Sequence, residues 1–163
     1  MSEAKEFMQY VEKGWGSELW IVNRPQYCGK ILTLTYGKAC ALHWHEKKDE
    51  TFYNDTSSPV YVHWASHGTL IAGQTLWLNS VQLNGGDYFY VPPGLIHMIQ
   101  AVRGYTCTIL EFSTHHEDGD SFFIHPGDET DLGVAELPHR WMREVPIAYR
   151  QLKEDYFRFD GPR

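Results

Sequence analysis

From Leu19 to about Phe112 the chain consists of short apolar and aromatic runs, each broken within a few positions by Gly, Pro, Asn or Asp. Runs this short, rich in β-branched and aromatic residues, predict antiparallel strands joined by tight turns. The strands are expected near 30–36, 60–64, 75–81, 87–91 and 105–112. Asn84, Gly85 and Gly86 form the strongest turn signal among them. A parallel sheet would need crossover helices, and almost no helical periodicity lies between these runs, so a closed barrel or a sandwich is expected. The predicted fold class is all-β.

The two ends read differently. Phe7, Met8 and Val11 stand near helical spacing before Gly14 and Gly16, which predicts a short helix within 1–14. After Thr114 comes an acidic stretch over 117–131. Beyond Pro146, Tyr149, Leu152 and Tyr156 again recur near helical spacing, and one C-terminal helix docked outside the barrel is expected. With no internal repeat or convincing linker, the expectation is one unit over 1–163, with its core at about 15–115 and an extension over 116–163.

The length of 163 residues is enough to bury a core without disulfides or a structural metal. A hydrophobic fraction of 42% and an aromatic fraction of 15% exclude a disordered chain. The net charge of -7 disfavours nucleic acid or an anionic membrane as partner, since either would be repelled. Cys28, Cys40 and Cys107 show no C-x-x-C spacing and are read as structural thiols of a reducing compartment, the cytoplasm. Residues 1–13 are charged throughout, unlike a signal peptide, and no apolar run approaches membrane-spanning length.

The chemistry is carried by histidines and carboxylates. His43 and His45 are separated by one residue in a run that reads as a strand, so both imidazoles can face one ion. Glu50 follows across a turn containing Lys47, Lys48 and Asp49, and His97 follows the rigid turn Pro92, Pro93, Gly94. Three imidazoles and a carboxylate suit Mn, Fe, Zn, Co or Ni and leave positions open for substrate. A lone histidine is more often a core or surface residue; the spacing of this set argues for ligands.

That spacing resembles the two motifs of the cupin superfamily. The first runs Gly37, five residues, His43, one residue, His45, four residues, Glu50; the second runs Gly86, five residues, Pro92, one residue, Gly94, two residues, His97. Two positions depart from the pattern: no Gly follows the first motif within 54–59, which suggests a different hairpin, and Ala101 stands where an Asn often ends the second. The resemblance implies a jelly-roll barrel, the cupin double-stranded β-helix. Inside it His43, His45, Glu50 and His97 would hold one divalent metal ion, Mn first, with Zn, Fe, Co or Ni open. By analogy it implies a homodimer.

The string from His43 to Glu50, with Lys48 inside it, is similar to that of sugar-isomerase cupins, particularly D-lyxose isomerase-like proteins. Trp15, Gly16, Ser17, Glu18 and Tyr27, Cys28, Gly29, Lys30 resemble sugar-phosphate isomerase relatives. The chain is shorter than typical lyxose isomerases. The implied activity is aldose–ketose interconversion on a small-molecule sugar or sugar phosphate. Glu111 is the candidate proton carrier, because a carboxylate in the apolar run 107–112 is unwelcome unless it faces a polar cavity, where burial would favour its neutral form. Lys48 is the second catalytic candidate, as a donor to substrate oxygen. Tyr53, Tyr88 and Tyr90 are either cavity hydroxyls or packing residues. His63, His67, His115, His116, His125 and His139 have no defensible partner spacing, although His115 and His116 could reach the barrel mouth. No Gly-rich phosphate loop occurs, and no basic cluster can be placed inside the barrel from sequence. The rival readings are an Fe(II) cupin dioxygenase and a non-enzymatic sugar-binding cupin; a metal-free epimerase fits less well with all four ligand positions filled.

Overall fold

A computed structural model of the protein describes residues 8–66, 75–125 and 141–144. In chain order the strands are β1 (Gln9–Lys13), β2 (Gly16–Asn23), β3 (Cys28–Leu34), β4 (Leu42–Trp44), β5 (Glu50–Tyr53) and β6 (Val60–Ser66). They continue with β7 (Thr75–Leu83), β8 (Tyr88–Val91), β9 (Leu95–Ala101), β10 (Cys107–Ser113), β11 (Phe122–His125) and β12 (Trp141–Glu144). A 3-10 turn over Asp118–Asp120 precedes β11. Among the described residues these strands build two antiparallel sheets, ordered β1-β2-β3-β10-β5-β8 and β11-β4-β9-β6-β7-β12, and no α-helix. The all-β expectation and the five predicted strands are met. The sheets also reach beyond 15–115, through β1 at one end and β11 and β12 at the other.

The expected N-terminal helix is corrected over Gln9–Lys13: these residues are β1, paired in register with β2. The helical spacing of Met8 and Val11 is overridden because Met8 stays exposed at 60%, and the glycines read as a helix stop instead make a hairpin. Gly16 has a φ of +146°, and a Cβ there would meet the Thr33 carbonyl oxygen at 1.9 Å, so the close approach of β2 to β3 demands glycine. Phe7 and the proposed C-terminal helix lie outside the described residues. The Asn84–Gly86 turn forms, with the Asp87 amide donating to the Asn84 carbonyl at 3.0 Å. It carries the chain between sheets rather than closing a hairpin, since β7 pairs with β6 and β8 with β5.

Period-two burial along the strands puts apolar side chains between the sheets. In β3, Cys28, Lys30, Leu32 and Leu34 are buried while the intervening residues are not; β10 buries Cys107, Ile109 and Glu111 in the same way. Leu34 pairs with Cys107 and Leu32 with Ile109, and these join Phe52, Val60, Val62 and Ile99 in one core. One step further along the same ladder, Lys30 pairs with Glu111. The barrel interior thus turns from apolar to ionic within one register step. Strand β9 is buried on both faces: Ile99 belongs to the interior core, and Ile96 and Met98 to a second cluster with Leu42, Trp44, Leu76, Leu78 and Ile124. The cysteines are free thiols; burial pushes Cys40 up to about 12 and Cys107 up to about 11. That suits the structural role expected of them.

Candidate metal centre

Strand alternation and one cross-strand pair assemble the centre. His43 lies inward on β4, and His45 follows just beyond it, turned to the same side. His97 on β9 is the direct register partner of His43. Gly94, at a φ of +81°, lets the preceding turn close: its amide donates to the His45 carbonyl at 2.7 Å and fixes β9 against β4. Glu50 opens β5 on the opposite sheet and faces the three imidazoles.

The ligand-type atoms of His43, His45, Glu50 and His97 all lie within 4.8 Å of one another. His43 Nε2 is 3.2 Å from His45 Nε2, and Glu50 Oε2 lies 3.5 Å from His45 Nε2 and 3.0 Å from His97 Nε2. Each imidazole is oriented by its other nitrogen: Nδ1–H of His43 donates to the Ala41 carbonyl at 2.8 Å, that of His45 to Asp120 at 2.8 Å, and that of His97 to Leu95 at 2.9 Å. With the proton on Nδ1, every Nε2 presents a lone pair to the centre. Among the described residues, His97 Nε2 and Glu50 Oε2 are fully buried without a hydrogen-bond partner. Lone pairs converging in this way repel unless a cation sits among them. The donor set therefore fits one divalent ion of intermediate hardness, ligated by three imidazoles and one carboxylate. Burial, and then the neighbouring imidazoles His97 and His45, push His43 well below its ordinary range; burial also lowers His45. Both are thus held in the neutral form that ligates. For Glu50, burial works against ionisation, but Lys48, His97 and His45 together outweigh it and keep the carboxyl well below the usual carboxylate range.

Beside this centre runs a buried ionic chain. Lys48 Nζ donates to Glu50 Oε1 and, at 2.6 Å, to Glu111 Oε1. Burial opposes the Lys48 charge, but Glu111 and Glu50 more than compensate and raise its pKa. Lys30 Nζ lies 3.7 Å from Glu111 Oε1, 3.8 Å from Glu18 Oε2 and 3.2 Å from His116 Nδ1, and 4.2 Å above the Trp20 ring. Burial, with the Lys30 charge next, brings His116 down to about 4, so its Nδ1 accepts from Lys30. Together with His43, His45 and Glu50 these groups line a cavity of about 330 Å³, closed apolarly by Trp15, Leu32, Phe52 and Ile99.

The structure brings together all six residues singled out from sequence: His43, His45, Glu50, His97, Lys48 and Glu111. It corrects others. Tyr88 and Tyr90 are 70% and 50% exposed, and Tyr53, Tyr88 and Tyr90 sit on strand positions opposite to the inward set, so none lines the cavity. Tyr90 instead donates to Asp49 at 2.8 Å. Of the histidine pair, His116 reaches the cavity while His115 turns away and bonds the Arg24 carbonyl. His63 is a buried structural residue held by Ser80 and Gln100. Two lysines, Lys30 and Lys48, do stand inside the barrel, where sequence offered no basic cluster. Period-two burial in β3 is the signal that could have found Lys30; Asp120, Glu18 and Trp20 gave none beyond Glu18 falling in the isomerase-like opening.

No protein-family model matches the sequence, and no curated protein does. Solved structures do. The capsular polysaccharide assembling protein CapF from Staphylococcus aureus superposes with a TM-score of 0.62 at 15% identity, over 76% of this chain and 34% of that one. Oxalate decarboxylase from Bacillus subtilis gives 0.57 at 18% identity, over 85% of this chain and 40% of that one. An RmlC-like cupin from Shewanella frigidimarina gives 0.52 at 15% identity, over 72% and 96%. The protein has the cupin fold. It spans about a third of the CapF chain and two fifths of the decarboxylase chain, so the cupin unit here corresponds to one part of each. Among the described residues no helix is long and apolar enough to cross a membrane.

Proposed function

We propose that this cupin is a metal-dependent sugar isomerase interconverting an aldose and a ketose, with His43, His45, Glu50 and His97 as the ligands of one divalent ion. The observation that carries this reading is the Lys48–Glu111 pair beside Glu50: a buried carboxylate and a buried ammonium line one cavity with His43, His45 and Glu50. Held by these four residues, a divalent ion would supply electrostatic polarisation of substrate oxygens, a contribution of several kcal/mol. The protein's own residues supply the rest. Glu111 takes the proton from one of C1 and C2 and returns it to the other, the hydroxyl proton passing from O2 to O1 or back in the same interconversion, while Lys48 holds the carboxylate in place and carries the positive charge that developing negative charge requires. Lys30 and His116, beside Glu111, offer N–H donors to the hydroxyls at the far end of the sugar. The apolar wall of Trp15, Leu32, Phe52 and Ile99 limits water around the reacting carbons.

The test is conversion in D2O. Protein loaded in turn with Mn, Co, Ni, Zn and Fe(II) is incubated with free and phosphorylated aldoses and ketoses, and deuterium at C1 and C2 is followed by NMR. Conversion with deuterium uptake supports the reading. Absence of conversion with every metal, together with oxygen consumption in the Fe(II) form, would replace it with the dioxygenase reading; binding of a sugar without turnover would replace it with a sugar-binding role.

A further inference from the structure

The residue that ties the cavity together belongs to neither cupin motif. Asp120 closes the 3-10 turn Asp118–Asp120, beyond the barrel strand β10, and is buried at 5% exposure. Among the described residues its carboxylate has no cationic partner at hydrogen-bond distance. Instead it accepts from three consecutive backbone amides of the turn between β4 and β5. Oδ1 takes Glu46 at 3.0 Å and Lys47 at 3.1 Å, and Oδ2 takes Lys48 at 2.9 Å and Lys47 at 3.3 Å. Its backbone carbonyl accepts Nδ1–H of His45. One residue thus grips both ends of the segment that leads from a ligand, His45, to the buried ammonium of Lys48.

Such a grip differs from ordinary loop packing. Three amides pointing into one carboxylate form a concave donor cluster, and a charged acceptor there makes the strong class of hydrogen bond. The segment 46–48 lies outside any strand, so nothing in the ladder fixes its peptide planes. Without Asp120 the Lys48 backbone would be free to rotate, and Nζ would lose its fixed reach to Glu50 and Glu111. The carbonyl that accepts Nδ1–H of His45 belongs to the backbone of residue 120 and would remain, but without the carboxylate grip its turn would no longer be anchored against the His45 segment.

We propose that Asp120 is a positioning residue for the metal centre, acting through His45 and Lys48 at once. It makes the segment after the barrel strands a working part of the site. This inference rests on the metal-ligand reading above.

The experiment compares metal-free wild type, Asp120→Asn and Asp120→Ala titrated with Co(II), reading affinity, the visible d–d spectrum and the exchangeable proton resonances of the Co(II) form. Wild type should show three slowly exchanging Nδ1–H signals, one per ligand imidazole. Asp120→Ala should bind Co(II) about 10–100-fold more weakly. Its His45 Nδ1–H signal, whose acceptor is the no longer anchored backbone carbonyl of residue 120, should shift and exchange faster, while the two whose acceptors are Ala41 and Leu95 stay unchanged. Asp120→Asn, which retains one acceptor oxygen, should fall between and keeps the test open if the alanine variant does not fold. Wild-type affinity, spectrum and all three signals in both variants would overturn the proposal. If wild type itself bound no Co(II), the ligand reading would fail first, and Asp120 would have no centre to position.

Discussion

Lys48 and Glu111, 63 residues apart in sequence, are joined by a buried bond of 2.6 Å from Nζ to Oε1. Their side chains are 3% and 5% exposed, and Lys48 is shared with Glu50. A buried pair is costly to form but costlier to break from one side, because the surviving charge is left without a partner.

Lys48→Met should therefore destabilise the metal-free protein by about 3–5 kcal/mol in urea unfolding. The double variant Lys48→Met/Glu111→Gln should be more stable than the sum of the single changes predicts, since removing Glu111 relieves part of the unpaired charge. Strict additivity would show that the two groups are not coupled as the distance indicates.

The ligand cluster makes a separate prediction. His43→Ala and His97→Ala should each reduce bound metal from one ion per chain to a small fraction, as measured by elemental analysis after dialysis. In wild type, saturating metal at about 100 times its dissociation constant should add about 2.7 kcal/mol to the unfolding free energy. In the variants that increment should largely vanish. Unchanged metal content in both would remove these residues from the site.

How much of this was readable beforehand follows from range. His43 and His45 share a face because strand periodicity is local, and His97 and Glu50 could be placed because the motif spacing resembled a known family. The apolar runs likewise marked β3, β6, β7, β8 and β10. Pairing was not readable. Gln9–Lys13 became an edge strand because β2 offered it a ladder, which no local spacing encodes. Lys30 entered the cavity because its register partner is Glu111, far along the chain, and Asp120 because its turn folds back on 46–48. The tyrosines, whose role the sequence leaves open, are decided by parity: Tyr53, Tyr88 and Tyr90 have the right chemistry for a sugar cavity but the wrong strand parity.

Glu111 and Lys30 should separate chemistry from binding. Glu111→Gln should leave metal content intact while lowering turnover about 10²–10⁴-fold and abolishing deuterium uptake. Lys30→Met, which removes a donor beyond Glu111, should act mainly on KM for the sugar, with a smaller effect on kcat. Equal loss of kcat in Lys30→Met, with KM unchanged, would assign Lys30 to the proton transfer instead.

The last prediction concerns acid. His63 and His116 are both held below their ordinary range, chiefly by burial, His116 to about 4. A histidine protonates at about 6.5 in an unfolded chain, so between about pH 6.5 and 4 the unfolded state binds more protons than the folded one. Stability then rises with pH across that window and falls as the solution is acidified. The stabilising contribution is complete above about pH 6.5 and is lost as pH falls toward 4. His116 alone accounts for up to about 3 kcal/mol at one pKa unit per 1.36 kcal/mol. Urea midpoints of the metal-free protein at pH 7.5, 6.0 and 5.0 should decline, and His116→Gln, which cannot be protonated, should flatten the decline. The flattening should survive in a His43→Ala background, because His116 is reached by Lys30 and Trp20 and not by the ligand cluster. An identical slope with and without His116 would place the acid sensitivity elsewhere.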